Sequence, residues 1–250
     1  MLYWVLKYIV LGPLLRLLYR PRIEGVENVP KRGAAILASN HLAVADSIFL
    51  PLLAPRRITF LAKREYFTER GLKGWAKRLF FGGTGNVPID RGSGSAAQAA
   101  LDTGIRILNE GKLLGIYPEG TRSPDGRLYK GKTGLARMAL EAKVPVIPVA
   151  MIGTDEINVI GSARWRLKRG VVIVRIGRPL DFSRYHGMAG DRFVERSMAD
   201  EIMYSLMELS GQVYVDMYAT KAKEDQAKAA AGGGSGNGRV AARVPAARAG

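Results

Sequence analysis

Residues 34–46 read AAILASNHLAVAD, a short apolar run that leads directly into a polar loop. Other short apolar runs, rich in β-branched residues, occur along the chain, and helical patterns lie between them. Strands that alternate with helices are typical of β–α units around a mostly parallel sheet. The sequence therefore predicts a single α/β domain with a mostly parallel central sheet flanked by helices. The predicted strands are AAILAS, RITFLA, NVPI, KLLGIY, VPVIPVAMI and VVIVRI.

Two of the flanking helices are predicted from apolar residues that recur every three or four positions. The first lies within residues 95–111, where Ser95 and Gln98 form a capping box and Gly111 is a stop signal. Its apolar face comprises Ala97, Leu101, Ile105 and Leu108. The second is a long amphipathic helix that closes the fold within residues 194–213.

The composition is that of a folded, basic protein without cysteine. The chain has 250 residues, 47% of them hydrophobic, and a formal net charge of +16 at pH 7. The absence of cysteine excludes a disulfide framework, a thiolate nucleophile and a cysteine-ligated zinc site, and the cytoplasm is the expected compartment. The positive charge indicates an anionic partner. Charge alone does not distinguish among nucleic acid, an acidic membrane surface and a phosphorylated small substrate.

Residues 1–22 are the most lipophilic part of the sequence. Only eight uncharged residues separate Lys7 from Arg16, whereas a helix that crosses a bilayer needs about 20 apolar residues. The Gly12-Pro13 pair interrupts a continuous helix, and no small-residue cleavage site of a signal peptide follows the apolar run. We therefore expect an interfacial, membrane-associating helical segment. The alternative is an amphipathic helix that only packs on the domain.

The remaining residues divide into a domain and a tail. Residues 23–220 form the predicted domain, and residues 221–250, rich in Ala, Gly and Arg, are predicted to be a disordered tail. Within the domain, residues 56–81 combine eight cations with interleaved aromatic side chains. This pattern suits lipid headgroups, a CoA moiety or single-stranded nucleic acid. It equally suits a solvated helix face over an aromatic core.

His41 is the first candidate for acid–base chemistry, because it follows a predicted buried strand, where the sites of α/β proteins form. A histidine can take a proton from a hydroxyl, and a carboxylate on its other ring nitrogen fixes the tautomer and stabilises the imidazolium. Asp46 is the candidate for that carboxylate. On one helix, side chains five residues apart point about 140° apart, so contact requires His41 to lie in the loop before the helix that carries Asp46. The alternative role for Asp46 is a helix cap.

A second group of polar residues, YPEGTRS at positions 117–123, follows the predicted strand KLLGIY. The Arg122 guanidinium suits bidentate phosphate binding, Gly120 lets the backbone approach a ligand, and Glu119 can order the arginine or a substrate hydroxyl. The block GNVPIDR ends another predicted strand with a cation, Arg91. Two arginines from two strand ends would form a phosphate clamp. The alternative is a turn that holds one salt bridge.

Residues 126–133 satisfy the P-loop pattern G-x4-G-K-T, but their context argues against a nucleotide site. A P-loop begins directly after a strand, whereas Gly126 lies eight residues beyond Pro118, and the residues that follow it have long side chains. A serine hydrolase is not expected, because the chain contains no G-x-S-x-G. Two histidines without cysteine leave too few ligands for zinc, so we predict no metal site.

These sequence blocks together resemble the lysophosphatidic acid acyltransferase (1-acyl-sn-glycerol-3-phosphate acyltransferase) family over residues 23–179. NHLAVAD matches the His-x4-Asp block, GNVPIDR the block that ends in a phosphate-binding arginine, YPEGTRS the Glu-Gly-Thr-Arg block, and VPVIPVAM the apolar Val-Pro block, in the family's order. The resemblance implies that His41 is the general base and Asp46 its orienting partner. It implies a glycerol-phosphate site formed by Arg91, Glu119, Gly120, Thr121 and Arg122. It further implies an acceptor or acyl pocket that includes Val146, Ile147, Pro148 and Val149. Residues 132–134 resemble the family's Lys-x-Gly element, with Gly131 in place of the usual aromatic residue.

The resemblance implies direct transfer of a fatty acyl group from acyl-CoA, or from acyl carrier protein, to the free hydroxyl of 1-acylglycerol 3-phosphate (lysophosphatidic acid). The product is phosphatidic acid, and neither a cofactor nor a covalent acyl-enzyme is required. We expect a peripheral or monotopic protein on the anionic cytoplasmic face of the cell membrane, without a nucleic-acid partner. Two alternatives stay open. One is a related acyltransferase acting on glycerol 3-phosphate, another lysophospholipid or a glycolipid, and the other is a basic nucleic-acid-binding protein.

Overall fold

The structure is a computed structural model that describes residues 2–63, 65–69, 71, 74, 75, 78, 82, 86–89, 96–160, 162 and 164–232. The strands of the described residues are β1 (Arg22–Glu24), β2 (Ala35–Ser39), β3 (Ile58–Lys63), β4 (Val87–Ile89), β5 (Leu113–Ile116), β6 (Leu128–Tyr129), β7 (Val146–Ile152), β8 (Ile173–Ile176) and β9 (Tyr214–Val215). Seven of them form one sheet in the order β1-β8-β7-β2-β5-β3-β4, and β6 pairs with β9 in a separate, two-stranded sheet.

The central sheet is mostly parallel, as the alternation of strands and helices predicts. Strand β2 lies in the middle and pairs in parallel with β5 on one side and β7 on the other, so that Leu37 is opposite Gly115 and Ile147. Strands β3 and β4 continue the parallel arrangement. Strand β8 is antiparallel to β7, and β1 is parallel to β8. All six apolar runs predicted as strands form strands of this sheet.

Helices cover both faces of the sheet. The helices of the described residues are α1 (Leu2–Val5), α2 (Leu11–Tyr19), α3 (Asp46–Leu53), α4 (Glu65–Thr68), α5 (Ala96–Asn109), α6 (Gly134–Ala142), α7 (Thr154–Ile157), α8 (Arg192–Ser210) and α9 (Ala219–Gly232). Because side chains alternate along a strand, Leu37 of β2 packs in a core cluster with Phe49 of α3, whereas its neighbour Ile36 packs in a second cluster with Leu101 of α5 and Ile202 of α8. The predicted α/β fold flanked by helices is confirmed.

The two helices predicted from periodicity are both present, with small differences at their ends. Helix α5 begins at Ala96, and Gly111, at φ +73°, follows its end. Ser95, the predicted capping residue, lies outside the described residues. Helix α8 is capped by Asp191, whose side chain accepts hydrogen bonds from two backbone N–H groups, and it ends before residue 213 because Gly211 adopts φ +70°.

The N-terminal segment, residues 2–19, packs one face on the domain. The Tyr3 hydroxyl donates to the Pro51 carbonyl at 2.9 Å, and the Lys7 ammonium donates to the carbonyls of Pro51 and Ala54 at the C-terminal end of α3. Burial lowers the pKa of Lys7 to about 8. The Gly12-Pro13 pair does not stop the helix, because a π-helical turn at Leu6–Val10 widens the backbone ahead of the proline.

The opposite face of this segment is lipophilic and exposed. Its exposed side chains are Trp4, Val5, Tyr8, Ile9, Val10, Leu14 and Leu17. Within the part of the chain that the structure describes, no helix combines the length and apolar character needed to cross a membrane. The segment therefore packs on the domain, which is the alternative given above, and it also exposes several large apolar side chains.

The expectation of disorder from residue 221 onward is wrong as far as Gly232, because Ala219–Gly232 form helix α9. The Ala-rich sequence with charged residues has high helix propensity, and the small side chains of Ala219 and Ala222 pack closely on the buried Tyr129. Residues 233–250 lie outside the described residues.

Candidate active site

The candidate site lies where two neighbouring parallel strands end. His41 follows the end of β2 by two residues, and Glu119 follows the end of β5 by three residues. Because β2 and β5 are parallel neighbours, both loops leave the same edge of the sheet, which we call the carboxyl edge. Open α/β sheets bind ligands outside this edge, so the fold brings the two predicted groups of polar residues together.

His41 and Asp46 form the predicted contact. His41 lies in the loop after β2 and Asp46 is the first residue of α3, which is the arrangement that contact across their five-residue spacing requires. The His41 Nδ1 and Asp46 Oδ2 atoms are 2.9 Å apart, with side-chain exposures of 15% and 0%. Asp46 Oδ2 also accepts hydrogen bonds from the backbone N–H groups of Leu42 at 2.7 Å and Ala43 at 2.8 Å. The carboxylate therefore shapes the loop and holds the imidazole, which leaves Nε2 as the ring nitrogen not bound to Asp46.

Tyr117 fixes the plane of the imidazole, a role that the sequence analysis did not assign. The rings of His41 and Tyr117 stack with centroids 3.9 Å apart and planes inclined by 12°. The Tyr117 hydroxyl lies 3.2 Å from Ser47 Oγ on α3, and burial raises the pKa of the phenol well above its ordinary value. Tyr117 is consequently a neutral, rigid platform for His41.

Glu119 connects the His41 loop to β6. Its Oε2 accepts from the His41 backbone N–H at 3.3 Å, and its Oε1 accepts from the Tyr129 backbone N–H at 2.9 Å. Burial raises the pKa of Glu119 to about 7, against the effect of these two hydrogen bonds. The expected role of Glu119 was to order Arg122 or a substrate hydroxyl. In the structure both carboxylate oxygens instead bind backbone groups.

Cations surround the loop at residues 120–122. Arg122 is exposed, and the Lys132 side chain lies so close to Gly120 that a Cβ there would be 3.0 Å from Lys132 Cε. Gly120 adopts φ +73°, which favours glycine. Lys223, from α9, donates to the Thr121 hydroxyl at 2.6 Å. Lys223 is not among the predicted site residues, because it lies in the segment predicted to be disordered.

The other predicted site residues differ in placement. Arg91 lies outside the described residues. Val146, Ile147 and Val149 have no exposed surface, and Pro148 is buried with them in the middle of β7, next to β2. The sheet core explains their apolar character, and their part in an acceptor or acyl pocket stays a prediction.

Two buried asparagines hold the His41 loop in place. The Asn40 side chain accepts from the Met151 backbone N–H at 2.7 Å and donates to the Met151 carbonyl at 3.0 Å. Asn40 Nδ2 also donates to Gln212 Oε1 at 2.6 Å, and Asn158 Oδ1 accepts from the Val44 backbone N–H at 2.9 Å. The loop is therefore anchored at both ends.

In the segment with the P-loop pattern, most backbone N–H groups of the described residues already donate to partners within the protein. Leu128 and Lys130 donate to carbonyls near β9, Tyr129 donates to Glu119, and the Lys132 N–H donates to the Pro118 carbonyl at 2.8 Å. A Cβ at Gly131 would lie 2.8 Å from Met203 Sδ, so α8 occupies the space of any side chain at that position. The geometry agrees with the sequence argument against a nucleotide site.

Comparisons with known proteins point to one family. A family model described as Acyltransferase matches residues 20–152, more than half of the chain. The chloroplastic 1-acyl-sn-glycerol-3-phosphate acyltransferase LPAT1 of Arabidopsis thaliana is 33% identical over 167 residues, which are 66% of this chain and 45% of that protein. The Bacillus subtilis 1-acyl-sn-glycerol-3-phosphate acyltransferase is 29% identical over 161 residues, 64% of this chain and 73% of that protein. The chain thus spans less than half of the plant relative and most of the bacterial one.

A solved structure has the same fold. The crystal structure of the 1-acyl-sn-glycerophosphate (LPA) acyltransferase PlsC from Thermotoga maritima matches with a TM-score of 0.55 and 28% sequence identity. The match covers 76% of this chain and 72% of that chain. The mixed α/β architecture with a mostly parallel sheet is therefore shared with this enzyme.

Proposed function

The chain belongs to the Acyltransferase family, and we propose that it transfers a fatty acyl group from acyl-CoA to the free hydroxyl of 1-acylglycerol 3-phosphate, giving phosphatidic acid. The observation that carries the proposal is the 2.9 Å contact of His41 Nδ1 with Asp46 Oδ2 at the same sheet edge as residues 119–122. Relatives named 1-acyl-sn-glycerol-3-phosphate acyltransferases support the choice of acceptor.

In the proposed reaction, His41 is the general base. Its Nε2 takes the proton of the acceptor hydroxyl while the hydroxyl oxygen attacks the thioester carbonyl. The new C–O bond forms, the C–S bond breaks, and the proton passes from the imidazolium to the leaving sulfur, so that CoA leaves as the thiol. General-base catalysis of this kind contributes about 10²- to 10⁴-fold, and positioning of the two substrates contributes the rest.

The surroundings of His41 suit this role. Asp46 is fully buried next to the imidazole, so it can stabilise the imidazolium that forms when the proton is taken. The stacked Tyr117 ring restrains the imidazole plane without offering a competing charge, because burial keeps the phenol neutral. A thioester has a good leaving group, so a positioned base does not require a covalent acyl-enzyme.

The acceptor phosphate is proposed to bind at residues 119–122. Arg122 offers a planar fork of donors that matches phosphate oxygens, and Thr121 offers a hydroxyl. Arg91, which lies outside the described residues, is predicted to be the second arginine of the clamp. Another acceptor, such as glycerol 3-phosphate or a different lysophospholipid, would use the same phosphate chemistry and differ in the surrounding pocket.

The apolar face of residues 2–19 supports attachment to a membrane surface. Ile9 and Leu17 are 70% and 66% exposed on this face, and the charge of +16 favours an anionic leaflet. We propose peripheral or monotopic binding at the cytoplasmic face. Ile9→Asp with Leu17→Asp should release the protein from phosphatidylglycerol vesicles in flotation assays, whereas high salt alone should leave a fraction bound. Complete release of the unchanged protein by salt would contradict insertion of this face.

The decisive experiment measures release of free CoA thiol from a long-chain acyl-CoA, with and without 1-acylglycerol 3-phosphate. We expect acceptor-dependent release by the intact protein and loss of at least about 10²-fold in His41→Ala. His186→Ala, which removes the other histidine of the chain, is the matched control and should keep the wild-type rate. Acyl carrier protein as donor and glycerol 3-phosphate as acceptor form the comparison arms. Release that does not depend on any acceptor, or that survives in His41→Ala, would refute the proposal.

A further inference from the structure

Three cations from three distant parts of the chain meet at residues 120–122. Arg122 belongs to the loop after β5, Lys132 precedes α6, and Lys223 belongs to α9. Lys132 lies against Gly120, and Lys223 donates to the Thr121 hydroxyl. None of the three cations is within ion-pair distance of a carboxylate of the described residues.

The surroundings of Lys223 disfavour its charged form. Burial and the charge of Arg122 both lower the pKa of Lys223, and Glu119 is the carboxylate that opposes this effect. At neutral pH the Glu119 carboxyl group balances the positive charge around Lys223 only in part, because its own pKa is raised to about 7. Like charges that are held together without a counter-ion are typical of a site for an anionic ligand.

Lys223 is held in place by the packing of the C-terminal segment, residues 212–223. The Lys130 backbone N–H donates to the Met217 carbonyl at 3.0 Å, and Ala219 and Ala222 pack on Tyr129. Gln212 receives a hydrogen bond from Asn40 and donates to the Gly126 carbonyl at 2.7 Å. The segment therefore contacts both the loop that carries His41 and the loop that carries Arg122.

We propose that Lys223 of helix α9 is a phosphate-binding residue of the acceptor site, where its ammonium binds the phosphomonoester of the lysophospholipid together with Arg122. The inference rests on the proposed function. An ammonium has three N–H donors, and the bond to Thr121 uses one of them, so two remain for phosphate oxygens. A phosphomonoester also occurs in CoA, and the test separates the two substrates.

The test compares Lys223→Ala and Lys223→Arg with Lys221→Ala, which removes the same charge from an exposed position of the same helix. We expect Lys223→Ala to raise the KM for 1-acylglycerol 3-phosphate by about 10- to 100-fold, because a hydrogen bond to a charged ligand is lost. The KM for acyl-CoA and the thermal unfolding temperature should stay close to wild type. Lys223→Arg should recover most of the acceptor affinity, and Lys221→Ala should behave as wild type.

Several outcomes would overturn the assignment. The assignment is excluded if the acceptor KM of Lys223→Ala stays within about twofold of wild type. It is also excluded if Lys221→Ala has an equal effect, or if the KM for acyl-CoA rises instead of the acceptor KM. If the wild type transfers no acyl group to any acceptor, the proposed function fails separately. Calorimetric binding of glycerol 3-phosphate by the intact protein then tests whether Lys223 binds phosphate. Weaker binding in Lys223→Ala supports the site, whereas equal binding, or none by the wild type, refutes it.

Discussion

The substitution Asp46→Asn separates the charge of Asp46 from its structural role. Among the described residues, the carboxylate makes its hydrogen bonds through Oδ2, to His41 Nδ1 and to the backbone N–H groups of Leu42 and Ala43. Its Oδ1 is buried and has no hydrogen-bond partner among the described residues. An asparagine whose oxygen takes the Oδ2 position keeps every bond and places its NH₂ group where Oδ1 was. The variant therefore removes a negative charge and preserves the loop.

The expected loss follows from the charge interaction with the imidazolium. Two unit charges about 4 Å apart interact by about 4 kcal/mol at an effective dielectric constant of about 20. In the proposed mechanism only the transition state, in which His41 carries the proton, benefits from this interaction. Loss of the full amount corresponds to a rate about 10³-fold lower. Stability should fall by only about 1–3 kcal/mol, since one buried NH₂ group lacks an acceptor.

The assay is single-turnover release of CoA thiol at saturating acceptor, together with urea unfolding. Asp191→Asn is the matched control, because that carboxylate also accepts from two backbone N–H groups as a helix cap and asparagine caps equally well. It should leave rate and stability unchanged. Asp46→Ala should lose both, since the N–H groups of Leu42 and Ala43 would be unpaired. If Asp46→Asn keeps more than about a tenth of the wild-type rate, the charge of Asp46 does not act in catalysis and the residue only shapes the loop.

Three further substitutions test the loops that carry the site. The pKa of Glu119 is about 7 rather than its ordinary 4.5, so the folded protein binds that proton more tightly than the unfolded chain. The contribution of Glu119 to wild-type stability therefore falls as the pH rises from about 4.5 to 7. This fall, up to about 3 kcal/mol, should be absent in Glu119→Gln when urea unfolding is compared at pH 5 and pH 8. Gly120 adopts φ +73° and lies against Lys132, so Gly120→Ala should lower the free energy of unfolding by about 1–2 kcal/mol in thermal unfolding and raise the acceptor KM. An unchanged melting temperature would argue against strain at this position. Asn40→Ala leaves the backbone N–H and carbonyl of Met151 unpaired and should cost about 1–3 kcal/mol in urea unfolding, and a smaller change would mean that water replaces the amide.

Local patterns in the sequence predict the sheet and the contact of His41 with Asp46. The apolar runs are short and bounded by polar residues, so strand positions follow from composition and periodicity. The His41 contact spans five residues, and it is decided by where one helix begins, which the chain encodes locally. Strands β1 and β8 run opposite to the other strands of the sheet. This direction has no local signal in the sequence, because it depends on how distant strands pair.

The parts of the site that the sequence analysis missed come from distant contacts. The stacking of Tyr117 on His41 follows from the parallel pairing of β2 with β5, which no local pattern specifies. The Lys223 contact joins residues 102 positions apart. It also depends on a helix whose Ala-rich sequence has the composition of a low-complexity segment. High helix propensity together with docking of Ala219 on Tyr129 outweighs that compositional signal.

Helix α3 connects the candidate site to the N-terminal segment. Asp46 begins this helix at the carboxyl edge, and the Ala54 carbonyl, just beyond its end, accepts from Lys7 of the N-terminal segment. From there the segment returns along α3, because Tyr19, at the end of α2, packs edge-on against Phe49. The chain then enters β1 at Arg22. Arg22 is opposite Ile173 of β8, and Ile173 is opposite Ile152, the last residue of β7, so β1 begins at the carboxyl edge. The exposed apolar face therefore extends along the domain towards the edge that carries His41. Under the proposed function, this face lies on the bilayer, and a lysophospholipid presents its glycerol hydroxyl to the imidazole while its acyl chain stays in the membrane.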